Sequence, residues 1–424
     1  MKKVFPIQSK TACLLKWAWS TVFIHTQKTS SCHRVEQDDL TLENFDSFHN
    51  TPQKILAREK MQRGEWPQAG CQYCEKIEDA GGMSDRQFQL AGMNFDVPQE
   101  LINDPTANAV TPTILEVYFS NVCNMGCLYC GSHFSSLWEA ENNKFGSFVK
   151  NGIYLGTSDD LRDVNGLNYS ELVDKFFNWL ENNYRSITKL HILGGEPFYQ
   201  SELDRCIDFY DTHPNPDLQF CIVTNLKVAP ARFQLTINKL LKLKSESKIN
   251  GVAITGSLDC WGKEAEYIRY GLDLNEYSAN IEYLLDKEVT VCVNSAISSL
   301  SIKTMPEFIE KMNYWNSIRA AHDPNPRSSI YWSFMTVQPF LPLCPEIFDA
   351  DLFKDDFDKI VELMPTDSEF QTQSREHMIG IATQIQSVKT KDQTSVDTLK
   401  MYLDEMDRRR NTNWKELFPW LVDQ

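Results

Sequence analysis

From about residue 111 the chain settles into a regular alternation. Short apolar, β-branched runs fall at 113–119, 187–193, 218–224, 251–258, 289–296 and 330–337. Between them lie stretches of helical period that begin near Tyr169, Gln200, Ala231, Leu274 and Met305. The first helix shows the period well: Leu172, Val173, Phe176, Phe177 and Leu180 form one stripe, and Asp174, Lys175, Asn178 and Glu181 face away. Six strands alternating with helices imply a parallel sheet with right-handed crossovers, either doubly wound or an open part of a barrel. In both cases chemistry belongs at the carboxyl ends of the strands.

Two flanks break the alternation. Residues 1–110 are polar and cysteine-bearing, with a helix expected near 53–63. Residues 341–424 read as helices, with Phe353, Phe357, Ile360, Val361 and Leu363 at helical spacing. The 131–168 stretch is far longer than an ordinary strand-to-helix loop. At the functional face such an excursion is expected to line a substrate cavity. The expected domains are therefore 1–110, a core at 111–340 and a helical extension at 341–424.

Composition narrows the class. Hydrophobic residues make up 42% and charged residues 24%, a globular balance that excludes a disordered or fibrous chain. The formal charge of −16 repels polyphosphate, so no nucleic-acid partner is expected. No apolar run reaches membrane-spanning length. Lys10 and Lys16 interrupt the N-terminal apolar stretches, so no signal peptide is read and a cytoplasmic location is expected. In a reducing compartment the twelve cysteines point to metal or redox work rather than disulfides.

Three of them follow the first strand: Cys123-Asn124-Met125-Gly126-Cys127-Leu128-Tyr129-Cys130. Three thiolates in eight residues can wrap one centre, and soft thiolates suit iron–sulfur clusters or zinc. Zinc wants a fourth ligand, for which His133 is the nearest candidate. Three cysteines on a 4Fe–4S cube leave one iron open. The second strand ends in Gly194-Gly195-Glu196-Pro197, the third in Thr224-Asn225, and the fourth in Ser257-Leu258-Asp259 with Arg269 ten residues on.

In this order the motifs resemble those of the radical S-adenosylmethionine (SAM) enzymes, over roughly 113–339. The resemblance implies a partial (β/α)6 TIM-like barrel, preceded by a small cysteine-rich auxiliary domain and followed by helices. It implies that Cys123, Cys127 and Cys130 hold a 4Fe–4S cluster that chelates SAM. It assigns cofactor contacts to Tyr129, Gly194, Gly195, Glu196, Pro197, Asn225, Ser257, Asp259, Arg269, Asn294 and Val337. Glu196 is expected to accept from the methionine ammonium, and Arg269 to fork onto the carboxylate. The competing readings are local: Ser257 and Asp259 as a helix cap, Arg269 as a surface ion pair, Asn225, Asn294 and Val337 as turn or core residues.

The N-terminal cysteines, Cys13, Cys32, Cys71 and Cys74, resemble the auxiliary-cluster module called SPASM or twitch, transposed to the front of the chain. Trp17 follows Cys13, Cys32 closes a hairpin over 22–31, and Cys71-Gln72-Tyr73-Cys74 ends the module before a Glu78–Arg86 segment. The family's glycine before the second cysteine is missing here. A second 4Fe–4S cluster is implied, with a zinc knuckle or unligated cysteines as alternatives. Cys206, Cys221 and Cys292 read as core residues. Cys260 and Cys344, after strand ends, are candidate thiol hydrogen donors, with His133 as a further site candidate. His191 reads as a core group and His213 as a solvated loop residue.

The activity implied is reductive cleavage of SAM to a 5′-deoxyadenosyl radical that abstracts hydrogen from a substrate. A flavodoxin or ferredoxin is the implied reductant. The substrate expected is a peptide or protein side chain. The alternatives are dehydrogenation, epimerisation or rearrangement of a sugar or other small molecule, and a non-enzymatic electron carrier or sensor.

Overall fold

A computed structural model of the full chain describes residues 5–424 apart from 68–69, 80, 82–83, 85, 88–95, 151–152, 156–167, 326–328, 338–341 and 389. Part of the expected Glu78–Arg86 segment, most of the second half of the 131–168 excursion, and the 340/341 boundary lie outside the described residues. The strands are β1 (Trp19–Phe23), β2 (Lys28–Ser30), β3 (Asp38–Asp39), β4 (Ile114–Tyr118), β5 (Phe148–Lys150), β6 (Ile153–Leu155), β7 (Lys189–Leu193), β8 (Asn215–Thr224), β9 (Ile249–Ser257), β10 (Thr290–Ile297) and β11 (Tyr331–Thr336).

Nine of these form one mixed sheet in the order β11-β10-β9-β8-β7-β4-β1-β2-β3. The six from β4 to β11 are parallel and lie in chain order. They are joined by the helices Tyr169–Asn183, Ser201–Thr212, Pro230–Ser245, Leu274–Leu284 and Met305–His322. This is the α/β arrangement of parallel strands and crossover helices that the alternation implied. Among the described residues, no helix is long and apolar enough to cross a membrane.

One face of the sheet is packed throughout and the other is partly open. Leu115, Val117, Leu190, Ile192, Phe220, Ile222, Val252, Ile254, Val293 and Phe334 join the main core. The helices bury their stripes there, through residues such as Phe176, Leu180, Ile207, Ile237 and Met312. The intervening positions alternate outward. In β7, β9 and β11 they are half-buried or exposed. A parallel sheet is normally covered on both faces and reads as continuous apolar runs. Here the period of two survives in β7, β9 and β11, whereas Glu116, Cys221 and Cys292 on the same face are buried.

Residues 19–39 extend this same sheet. β1 pairs parallel with β4, from Trp19 opposite Ile114 to Phe23 opposite Tyr118, and antiparallel with β2. The rest of the N-terminal region has its own core, in which Phe5, Leu14, Trp17, Met61, Leu101 and Val110 meet Ile114 of β4. Its main helix, Pro52–Gln62, starts where expected. Thr51 accepts from the Lys54 N–H, and Pro52 sits where no donor is needed.

The 131–168 excursion holds the helix Ser136–Phe145 and the β5–β6 hairpin. The C-terminal region is helical, and its helix Gln393–Arg410 ends at Asn411 in the left-handed conformation, with Arg408, Arg409 and Arg410 in the last turn.

Candidate active site at the carboxyl edge of the sheet

All the motif residues sit at the carboxyl ends of the parallel strands or on the open face. The Cys123–Cys130 loop leaves β4, Gly194–Pro197 leaves β7, Thr224 and Asn225 end β8, Ser257 ends β9 and Val337 follows β11. Register places Ser257 opposite Asn294 and Asn294 opposite Ser333, in one row across the concave face. The next row down is Thr255, Cys292 and Tyr331, and below it Glu116, His191 and Cys221. His191 is therefore on the open face beside Trp19, with ring centroids 5.7 Å apart, rather than within the packed core. Its pKa is pushed down to about 4, chiefly by burial.

The cysteine loop is clamped from every side. The Gly126 N–H donates to the Tyr270 carbonyl at 2.8 Å and the Leu128 N–H to that of Ile268 at 2.8 Å. The Ser135 hydroxyl donates to the Met125 carbonyl at 2.6 Å, and the Trp138 indole to that of Cys127 at 2.8 Å. From the C-terminal helix the Tyr402 hydroxyl donates to the Leu128 carbonyl at 2.7 Å. The Asn225 amide donates to Asn124 Oδ1 at 2.9 Å and lies 3.9 Å from Cys123 Sγ. Gly271, with φ +99°, is forced to be glycine because an added Cβ would meet the Asn124 carbonyl at 2.8 Å.

Beneath the loop is a buried charge network. Arg269 forks onto Asp259 through Nε at 3.0 Å and Nη2 at 2.9 Å. Asp259 also accepts from the Tyr129 hydroxyl at 2.6 Å and the Ala296 N–H at 2.9 Å. The third arm of Arg269, Nη1, reaches Cys127 Sγ at 3.9 Å. Both charged groups are buried. Arg269 is thus neither a surface ion pair nor an open fork; it links β9 to the loop sulfur.

Glu196 is likewise occupied. Fully buried, its carboxylate accepts from the Phe198 N–H at 3.2 Å, the Thr224 hydroxyl at 2.8 Å and the Asn225 N–H at 2.7 Å. It ties the end of β7 to the end of β8. Burial pushes its pKa up to about 7, against those three donors. The two glycines before it explain themselves sterically. Gly194 has φ +87° and faces the Tyr118 ring; Gly195 has φ +52°, and a Cβ there would lie 2.2 Å from the Val122 carbonyl oxygen. Backbone runs against backbone at this edge.

The donor set suits a thiolate-bound group. Among the described residues, no set of three or more His, Cys, Asp or Glu side chains forms a ready-made metal-ion site. The three loop thiols still influence one another. Burial raises the pKa of Cys123, with Cys127 and Cys130 adding to the rise. Burial also pushes Cys130 up to about 12 and raises Cys127, where Arg269 and Arg410 oppose it. Buried thiols resist ionisation unless positive charge compensates, and a metal supplies that charge. Among the described residues, Asn294 Oδ1 on the open face, His133 Nδ1 and Arg410 Nη1 are buried without a partner. Orphaned groups of this kind fit a site completed by a bound cofactor.

The remaining candidates divide. Pro197 and Val337 are buried, and the Val337 N–H donates to the Ile297 carbonyl at 3.0 Å. Cys260 and Cys344 are fully buried, away from the open face, and burial pushes Cys344 up to about 11. By contrast Cys221 and Cys292, expected in the core, are placed by the strand register on the concave face. His133 is half-buried, with Nδ1 lacking a partner and its ring 4.1 Å from that of Phe134. His213 stacks on Phe209 at 4.3 Å rather than standing free in solvent. In the N-terminal region Cys13 is pushed up to about 12, by burial first, with Cys32 and Cys71 both acting on it. Those three are neighbours, and Cys74 lies on the helix Gln72–Asp79.

No family model matches the chain, and no curated protein matches it. Solved structures of Streptococcus suis SuiB are similar at low identity. The first has a TM-score of 0.38 and 13% identity over 90% of this chain and 70% of that one. SuiB bound to S-adenosylmethionine gives 0.38 and 12% over 85% and 68%. SuiB bound to precursor peptide SuiA gives 0.36 and 13% over 87% and 69%. A likeness this distant assigns no function.

Proposed function

We propose that the chain is a radical SAM enzyme whose Cys123, Cys127 and Cys130 hold a 4Fe–4S cluster. The observation that carries this reading is the clamped three-cysteine loop at the carboxyl end of β4, the first of the six strands joined by crossover helices, with the Gly194–Pro197 turn beside it. When bound, such a cluster with one iron free of thiolate supplies the electron that splits SAM into methionine and a 5′-deoxyadenosyl radical able to take hydrogen from an unactivated C–H.

The chain's own residues set the stage for that chemistry. Arg269 and Asp259 hold the Cys127 side of the loop, and Tyr129 locks onto the same carboxylate. Gly194 and Gly195 let the β7 edge approach a ligand by backbone alone. Glu196 acts as a brace that holds this edge against β8. Ser257 and Asn294, on the open face, are the side chains offered to the cofactor's polar edge. The concave rows below receive the substrate. Ser333 and Met335 of the edge strand β11 are exposed, so this face can be reached from that edge. Access of that kind admits an extended chain, and the substrate class proposed is a peptide or protein side chain. Cys13, Cys32, Cys71 and Cys74 are proposed to hold a second cluster, with a flavodoxin or ferredoxin as electron source.

The test is anaerobic incubation of the reconstituted protein with SAM and dithionite. The wild type should release 5′-deoxyadenosine, Cys127→Ala none, and Cys74→Ala a reduced amount. Equal release from wild type and Cys127→Ala refutes the assignment. Redox-active iron with no SAM cleavage at all would leave an electron carrier in its place.

A further inference from the structure

The C-terminal helix Gln393–Arg410 presents a buried guanidinium to the cysteine loop, 284 positions along the chain from Gly126 by simple subtraction. Arg410 is held three ways. Its Nε and Nη2 fork onto Glu141 at 2.9 and 3.1 Å. Its Cζ lies over two rings, 4.7 Å from the centroid of Trp138 and 4.5 Å from that of Tyr270. Its Nη2 abuts Gly126, where an added Cβ would be 3.0 Å away. With the side chain only 2% exposed, the remaining nitrogen, Nη1, is buried and has no partner.

This arrangement costs stability as it stands. A charged donor buried without an acceptor is destabilising, and the aromatic faces and the carboxylate fork prevent the guanidinium from turning to solvent. Tying the C-terminal helix to the Ser136–Phe145 helix needs only the Glu141 fork. It needs neither the close approach at Gly126 nor the idle third arm. The loop is thus flanked by two carboxylate-paired guanidiniums, Arg269–Asp259 from the barrel and Arg410–Glu141 from the appended helices.

The geometry points to Arg410 as a positioning residue for the loop-bound cluster: it places buried positive charge beside Cys127 and keeps one N–H donor for the loaded state. This rests on the proposed function, because a thiolate-bound anionic centre at Cys127 is what the Arg410 charge would act on. Positive charge near such a centre favours its reduced, more negative state and raises its potential. Glu141 has the opposite sign and sets how much of that charge is felt.

The experiment uses the full chain, purified and reconstituted without oxygen, and follows the electron paramagnetic resonance signal that changes when SAM is added. That signal identifies the loop cluster. Midpoint potential and the rate of iron release to a chelator are measured for wild type, Arg410→Met, Arg410→Lys and Glu141→Gln. Arg410→Met should shift the potential negative and release iron roughly tenfold faster, the loss expected when a charge-assisted donor is removed. Arg410→Lys should fall between it and wild type. Glu141→Gln should shift the potential positive. If Arg410→Met does not fold, the sign of the Glu141→Gln shift decides alone. Unchanged potentials, or shifts of the same sign in Arg410→Met and Glu141→Gln, overturn the inference. A wild type with no SAM-responsive signal overturns the proposed function itself.

Discussion

The two cysteine groups of this chain are built in opposite ways. The Cys123–Cys130 loop is contiguous, and its geometry is imposed by hydrogen bonds with Asn225 after β8, Ile268 and Tyr270, the excursion helix and the C-terminal helix. The N-terminal group is scattered between Cys13 and Cys74, and Cys13, Cys32 and Cys71 come together around a small core to which Trp19 of β1 and Met61 of the Pro52–Gln62 helix also belong. The first is local in sequence and global in its supports. The second is global in sequence and local in its supports. Substitutions that remove supports should therefore act on the two groups differently.

The largest contrast is expected between their ion pairs. Asp259→Asn leaves Arg269 as an unmatched buried charge under Cys127, and removing one partner of such a pair costs about 3–5 kcal/mol. Glu78→Gln breaks the corresponding N-terminal pair with Arg86, which also donates to the Ala12 carbonyl beside Cys13. Glu78 is 15% exposed against 1% for Asp259, so water compensates it better and the cost should be nearer 1–2 kcal/mol. Urea unfolding of both variants checks this. A larger loss for Glu78→Gln would invert the contrast.

A second pair compares backbone contacts. Gly195→Ala and Gly70→Ala both place a Cβ inside a carbonyl, 2.2 Å from Val122 O and 2.0 Å from Arg34 O, at positive φ. Left-handed backbone and overlap together should cost about 3–4 kcal/mol in each. The consequences diverge. Gly195→Ala pushes on the residue before Cys123 and should lower SAM-dependent cleavage strongly. Gly70→Ala pushes on the residue two beyond Cys32 and should lower total iron while sparing part of the cleavage. Gly81→Ala, which meets nothing within 4 Å, is the control for positive φ alone. Iron content and 5′-deoxyadenosine yield, measured on the same samples, separate the cases.

The same difference explains what could be read in advance. The strand–helix alternation was legible because each element carries its own period, as in the Leu172–Leu180 stripe. The cysteine loop and the Gly194–Pro197 turn were legible because backbone geometry at a strand end restricts sequence locally. Arg410, Glu141 and Tyr402 were not, since Tyr402 meets Leu128 across 274 positions and nothing about a helical tyrosine or arginine marks such a contact. The motif located Glu196 but did not reveal that Thr224, Phe198 and Asn225 take up its oxygens. Nor did the alternation foretell that β1 would join the barrel sheet, because pairing partners are a tertiary choice.

Glu196 gives the smallest and most discriminating prediction. Its pKa is about 7 in the folded chain against an ordinary 4.5, so burial outweighs its three donors. Below the ordinary value the carboxyl is protonated in both states and contributes nothing to pH dependence. Between that value and about 7 the unfolded chain ionises while the folded chain keeps its proton, so stability falls as pH rises, and above the window it levels off. The 2.5-unit difference corresponds to about 3 kcal/mol at most. Glu196→Gln should be less stable than wild type at low pH, because its amide faces the Asn225 N–H. It should also lack the decline across this window. Urea midpoints at pH 4.5, 6 and 7.5 test both statements. A mutant that retains the full slope would place the titrating group elsewhere and leave Glu196 an ordinary ionised brace between β7 and β8.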